Sequence, residues 1–126
     1  MRVHSLGKEQ KRVSRFTYAM RFLALVWRLR HEYDAVFVHM NQEYVLLAGP
    51  FWRLTDVPVY FWRNHYAGSW LTGVAARLST KVFYTSDHSY TARFKNAVQM
   101  PVGIDTTRFH PPVGDAREPH SILFIA

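Results

Sequence analysis

The apolar positions fall into short blocks whose period changes from block to block. Between residues 13 and 31, Phe16, Met20, Leu23, Val26 and Trp27 recur at steps of three and four, and Phe22, Leu25 and Leu29 widen the arc. Ser14, Thr17, Arg21, Ala24, Arg28 and His31 form the other stripe. This spacing predicts a helix with a broad apolar face, suited to packing on a sheet, ended by Tyr33-Asp34. Residues 35–40, AVFVHM, are β-branched and aromatic without clean alternation, the pattern of a strand buried on both faces of a parallel sheet. Residues 42–54 read as a second helix, with Gly49-Pro50 expected to break or kink it.

After the turn Asp56-Val57-Pro58, residues 59–62 predict a second strand. Gly68 is expected to open a third helix that runs through Leu78, and residues 81–85 a third strand. Ser86-Asp87 reads as the N-cap of a short helix ending near Lys95, and residues 96–100 as a fourth strand. Strands separated by helical stretches of roughly ten to fifteen residues indicate βαβ units with right-handed crossovers. The expected fold class is therefore α/β, a Rossmann-like parallel sheet flanked by helices. No internal repeat is visible.

The segment 100–112, MPVGIDTTRFHPP, changes the picture, because it reads as a crossing between domains. Pro101 removes a donor and fixes its own φ, and Gly103 can take positive φ at no steric cost, so the chain turns there. Asp105 and the threonines after it can close the turn with side chain to backbone bonds, while Phe109 supplies one apolar anchor. The apolar run 121–126, SILFIA, then reads as the first strand of another domain. The expected organisation is a basic N-terminus over 1–12, a partial Rossmann-like domain over 13–100, a linker over 101–120, and the opening strand of a further domain over 121–126.

Four elements in order carry a family resemblance. They are Asp34 to His39, Pro58 to His65, Val82 to Ser86, and the hinge residues Pro101, Gly103, Ile104, Asp105, Phe109 and Pro111. Together they resemble the acceptor-side, N-terminal domain and interdomain hinge of family 4 glycosyltransferases, which have the two-domain GT-B architecture. The resemblance covers roughly residues 33–126. Two departures accompany it: no strand with a glycine-rich loop precedes residue 13, and Val102 stands where an Asn is frequent. The resemblance implies an incomplete N-terminal half of a GT-B fold, whose nucleotide-sugar pocket would belong to a second domain. It also implies sugar transfer from a nucleotide-sugar donor to a glycan or lipid-linked acceptor, with retained anomeric configuration and no metal or other cofactor. This chain alone is expected to be inactive.

Composition narrows the partners. The chain has 126 residues, enough for one core, with sixteen Lys plus Arg against nine Asp plus Glu and a formal charge of +7. An anionic partner is indicated, and the densest basic stretch lies between Lys8 and Arg30. There, Phe16, Tyr18, Phe22 and Trp27 interleave with Lys8, Lys11, Arg12, Arg15, Arg21, Arg28 and Arg30, a composition that suits an interfacial helix on anionic lipid. A basic peripheral membrane module without catalysis is accordingly the alternative function. A core-packed helix with a solvated stripe accounts for the same residues. Nucleic acid is not expected, because the basic residues line no single face and packing accounts for the aromatics. The absence of cysteine excludes disulfides and thiolate metal sites and favours a reducing cytoplasm, with the inner face of a membrane as the place the lipid-bound alternative implies. No GxSxG, Walker loop or GxGxxG occurs.

Candidate chemistry gathers where open α/β sheets place their ligands, beyond the carboxyl ends of the strands. His65 is the candidate catalytic residue, and His39, Arg63, Asn64, Ser86 and Gly103 are the candidate substrate-binding residues. An imidazole there can bond a sugar hydroxyl or phosphate oxygen and meet charge developing in transfer. Arg63 and Asn64 can meet an anionic or hydroxylated acceptor, and Gly103 lets backbone approach a ligand. Each also has a structural reading: a satisfied strand-end histidine, a solvated arginine, or an N-cap serine at Ser86.

Overall fold

The computed structural model describes His4, Leu6, residues 14–101 and Gly103. The hinge beyond Gly103 and the strand expected over 121–126 lie outside the described residues, as does most of the segment 1–12. Helix α1 (Arg15–Leu29) leads into β1 (Val36–His39), α2 (Gln42–Leu54), β2 (Val59–Trp62), α3 (Trp70–Leu78), β3 (Lys81–Tyr84), a single 3-10 turn (Tyr90–Arg93) and β4 (Ala97–Gln99). The strands form one sheet in the order β1-β2-β3-β4, every neighbouring pair parallel. This is an α/β, Rossmann-like parallel sheet with helices.

Sequential order has a geometric consequence. Right-handed crossovers that step one strand at a time in one direction deliver their helices to the same face. Val38, Phe61 and Val82 stand in register across β1, β2 and β3, all buried, and cluster with Val45, Ala48 and Trp52 of α2, Ala75 and Ala76 of α3 and Val26 of α1. Each of the buried Val and Phe side chains contributes roughly 1.5–3 kcal/mol by leaving water. The alternate positions look the other way. Phe37 is 59% exposed, while Tyr60 and Phe83 are half-buried and stack on one another at 6.1 Å. The expectation that β1 is buried on both faces is therefore corrected: its helix-side residue Val38 is buried, and Phe37 and His39 are exposed.

Local chemistry sets the element ends. Ser14 accepts from Thr17 N–H at 3.1 Å and caps α1, and Asn41 Oδ1 accepts from Glu43 N–H at 3.2 Å to cap α2. The third helix opens at Trp70, two residues after the expected Gly68, where Ser69 N–H donates to Thr72 Oγ1. Asn96 Nδ2 donates to the carbonyls of Ala76 and Ser79, both at 2.8 Å, and so serves the C-terminal end of α3.

Pro50 does not end α2, contrary to the sequence pattern. It is exposed, so the carbonyl left without an N–H partner falls on the solvent side, while Val45, Ala48, Gly49 and Trp52 are buried before and after it. Tertiary packing holds both halves of the helix in one axis. Gly49 has a separate role: a Cβ there would come within 3.1 Å of Leu78, so α2 and α3 meet too closely for a side chain.

Helix α1 lies on α2 through rings. Phe22 meets Tyr44 at 4.7 Å and Trp52 at 6.3 Å, and Trp27 meets Phe51 at 5.7 Å. Trp52 Nε1 donates to the Tyr33 hydroxyl at 2.9 Å, which satisfies the indole inside the core. Tyr18 and Tyr44 share a hydroxyl-hydroxyl hydrogen bond. Burial, and then that bond, push the Tyr44 phenol up to about 12. No helix among the described residues is long and apolar enough to cross a membrane.

Candidate functional site at the carboxyl edge of the sheet

The loops that leave β1, β2 and β3 at their carboxyl ends are tied to one another by side chains that the sequence marks as chemical. After His39 the chain turns sharply through Met40, whose φ of 62° is left-handed, and Asn41 N–H bonds the His39 carbonyl at 2.7 Å. Arg63 reaches that turn. Its Nη1 donates to the Met40 carbonyl at 3.4 Å and its Nη2 to the Ala67 carbonyl at 3.1 Å, while Nε is buried without a partner. The Arg63 carbonyl in turn accepts from Thr91 Oγ1 at 2.7 Å and Ser89 Oγ at 3.3 Å. Arg63 thus clamps three loops together and spends much of its donor capacity on protein carbonyls.

Asn64 is a second tie. Its Oδ1 accepts from the N–H groups of Thr85 at 3.2 Å and Ser86 at 3.0 Å, joining the loop after β2 to the loop after β3. Ser86 Oγ accepts from His88 N–H at 3.3 Å, an ST-turn, and the side chain is exposed. The cap of the following turn is Ser89, which accepts from Thr91 N–H, so the expected N-cap at Ser86 is corrected by three residues. The expected helix to Lys95 is one 3-10 turn, because Phe94 and Asn96 are needed for packing on the core and for capping α3.

His65 sits at the outermost point of this network. Its carbonyl accepts from Tyr90 N–H at 2.9 Å, its ring stacks on Tyr66 at 4.8 Å, and the side chain is exposed. The Nδ1 atom has two neighbours from one residue: Ala67 N–H at 3.0 Å and the Ala67 carbonyl at 3.1 Å. With the proton on Nε2, Nδ1 accepts from the Ala67 N–H. With the proton on Nδ1, it donates to the Ala67 carbonyl. Either tautomer is therefore served, and the outward Nε2 can donate or accept according to what it meets.

His39 is exposed at the end of β1, in register with Trp62, on the sheet face that lacks the helices. Gly103 is exposed, and a Cβ there would meet nothing within 4 Å. The structure therefore joins Arg63, Asn64, His65 and Ser86 in one bonded rim, sets His39 one strand away, and leaves Gly103 outside it. Tyr66, stacked on His65, and Trp70, at the start of α3, are among the most exposed large side chains of the described residues and are not singled out by the sequence. The signal was present in the run Arg63 to Trp70, RNHYAGSW, where two aromatics stand in an otherwise polar loop without core periodicity. Gly68 holds this loop against the 3-10 turn: a Cβ there would sit 2.2 Å from the Tyr90 ring.

A depression of about 500 Å³ lies at the opposite, amino edge of the sheet, lined by residues including Trp52, Arg53, Asp56, Pro58, Arg77 and Thr80. Arg53 there donates to the Arg77 carbonyl at 3.1 Å, a contact that joins α2 to α3. The carboxyl edge is the better site, because parallel sheets open their loops for ligands there. Among the described residues no group of three or more His, Asp or Glu side chains is placed to hold a metal ion. Compared with protein-family models, with curated proteins and with solved structures, the chain matches none.

Proposed function

We propose that the chain is the acceptor-side lobe of a sugar-transferring enzyme of the two-domain kind its sequence resembles, and that the acceptor lies along the rim after β2. One observation supports this reading above the others. His65, stacked on Tyr66 and followed at the start of α3 by the exposed Trp70, stands on a loop that Arg63 and Asn64 tie to its neighbours. Exposed aromatic faces suit the C–H faces of a sugar ring, and an imidazole suits its hydroxyls.

In the reaction the resemblance implies, the acceptor oxygen bonds to the anomeric carbon of the donor sugar. The bond from that carbon to the nucleoside diphosphate breaks, and the acceptor hydroxyl releases its proton. His65 is assigned to the acceptor oxygen, because its Nε2 can take or give a proton while Ala67 serves Nδ1 in both tautomers. Arg63 and Asn64 position the loop, with His39 and Ser86 as neighbouring polar contacts. The nucleotide sugar is the donor substrate of a second lobe, and this chain alone is expected to turn over none.

The test is a nitrogen-15 amide shift titration of the full chain with a panel of mono- and disaccharides and sugar phosphates. Shifts confined to residues 63–70 and 85–91, and lost in His65→Ala and Trp70→Ala, are the expected result. Shifts that map to the amino-edge depression, no shift with any saccharide, or nucleotide-sugar turnover by this polypeptide by itself would each overturn the reading.

A further inference from the structure

Helix α1 has two apolar faces, and the core uses one. Phe22, Leu23 and Val26 pack inward, but Phe16 is 76% exposed and Trp27 59%, with Met20 exposed between them. Phe16, Met20 and Trp27 follow one another at steps of four and seven, so they form one stripe. The stripe continues onto α2, because Trp27 touches Phe51, and Leu47 and Leu54, one turn to either side of Phe51, are exposed as well. The outer surface of the helix layer is thus a connected apolar patch carried by two helices.

Its border is cationic. Arg21 and Arg28, seven residues apart and both exposed, run along the solvent side of the stripe, and the Arg30 guanidinium lies 4.4 Å over the Trp27 ring. Arg21 reaches one carbonyl among the described residues, that of Leu6, at 3.5 Å. No Asp or Glu occurs anywhere from Gln10 to His31, whereas six Lys or Arg do. Glu9 and Glu32 bracket that stretch in sequence, and Glu43 stands at the start of α2.

We propose that this surface docks on an anionic lipid bilayer, with Phe16, Met20, Trp27, Leu47 and Leu54 at the acyl boundary and Arg21 and Arg28 on the headgroup phosphates. Charge selects the occupant. A second copy of the chain would bring arginine against arginine across a shared axis, which opposes pairing. An anionic surface turns the same arginines into attraction and accepts the aromatic and thioether side chains between them. The helix layer then lies on the membrane with the axes of α1 and α2 in its plane. The inference is independent of the sugar-transfer reading, since it uses none of the rim residues.

Co-sedimentation of the full chain with large unilamellar vesicles tests it, using phosphatidylcholine alone and phosphatidylcholine with phosphatidylglycerol, each at low and high salt. Binding to the anionic vesicles, weakened by salt and much weaker on neutral ones, is expected. The double variant Arg21→Glu/Arg28→Glu should lose roughly tenfold or more in affinity with an unchanged far-ultraviolet circular dichroism spectrum. Phe16→Ser/Met20→Ser should weaken binding also at low salt, and neither pair removes a core side chain. Equal binding to neutral and anionic vesicles, full affinity in the charge-reversed variant, or no binding at all would overturn the proposal. So would concentration-dependent dimerisation in sedimentation velocity that Arg21→Glu/Arg28→Glu leaves intact and vesicles do not disturb.

Discussion

Replacing Asn64 separates a positioning role from a ligand-binding one. In Asn64→Ala the N–H groups of Thr85 and Ser86 lose their common acceptor at 3.2 and 3.0 Å, and the loops after β2 and β3 lose a direct tie. Thr85 is half-buried and Ser86 exposed, so water can replace the acceptor fully at one and partly at the other. A net intramolecular hydrogen bond contributes roughly 0.5–1.5 kcal/mol, and a donor left without a partner costs about 1–3 kcal/mol. The two together give a destabilisation of about 2 kcal/mol. Asn64→Asp keeps an oxygen of the same reach and is expected to retain more than half of that stability. Urea unfolding followed by circular dichroism measures both, with the slope as a check that the unfolded state is unchanged. If Asn64→Ala unfolds within about 0.5 kcal/mol of the parent, or if the aspartate is as damaging as the alanine, the tie carries none of the stability assigned to it.

Two further perturbations probe packing, one at the rim and one between α1 and α2. Gly68→Ala places a methyl group 2.2 Å from Tyr90, which must then leave its edge contact with Phe94 at 5.9 Å and its place under Arg93. A loss of roughly 1–3 kcal/mol is expected in chemical denaturation, with partial recovery in Gly68→Ala/Tyr90→Ala. Tyr44, pushed up to about 12, holds its proton more tightly folded than unfolded. Its contribution is therefore complete below about pH 10 and declines as pH rises from there through 12. Thermal melts between those limits should fall more steeply for the parent than for Tyr44→Phe, and parallel curves would refute the assignment.

The order of elements was legible because each block carries its own period. The four strands and three helices lie where apolar spacing put them, with ends shifted by a few residues. Boundaries failed where a neighbour in space supplied what the local sequence did not. Ser86 has the right chemistry for a cap, yet Ser89 holds that position because Thr91 and the Arg63 carbonyl lie beside it. Pro50 breaks an isolated helix, but buried residues on both sides of it hold α2 together. The candidate residues of the rim were legible as residue types and not as roles. Arg63 and Asn64 look like ligand binders in one dimension, and in three they bond the neighbouring loops.

The alternation of short apolar runs with amphipathic helices by itself indicates a parallel α/β unit, because a strand followed by a crossover helix returns to the sheet in the same direction. Which face of that sheet the helices cover is decided only in space, by the hand of crossovers that all step in one direction. The same holds for α1, whose apolar arc is wider than one contact can bury. Only packing against α2 divides it into a core side and an outward stripe, since a helix period records which residues share a face and not what that face will meet.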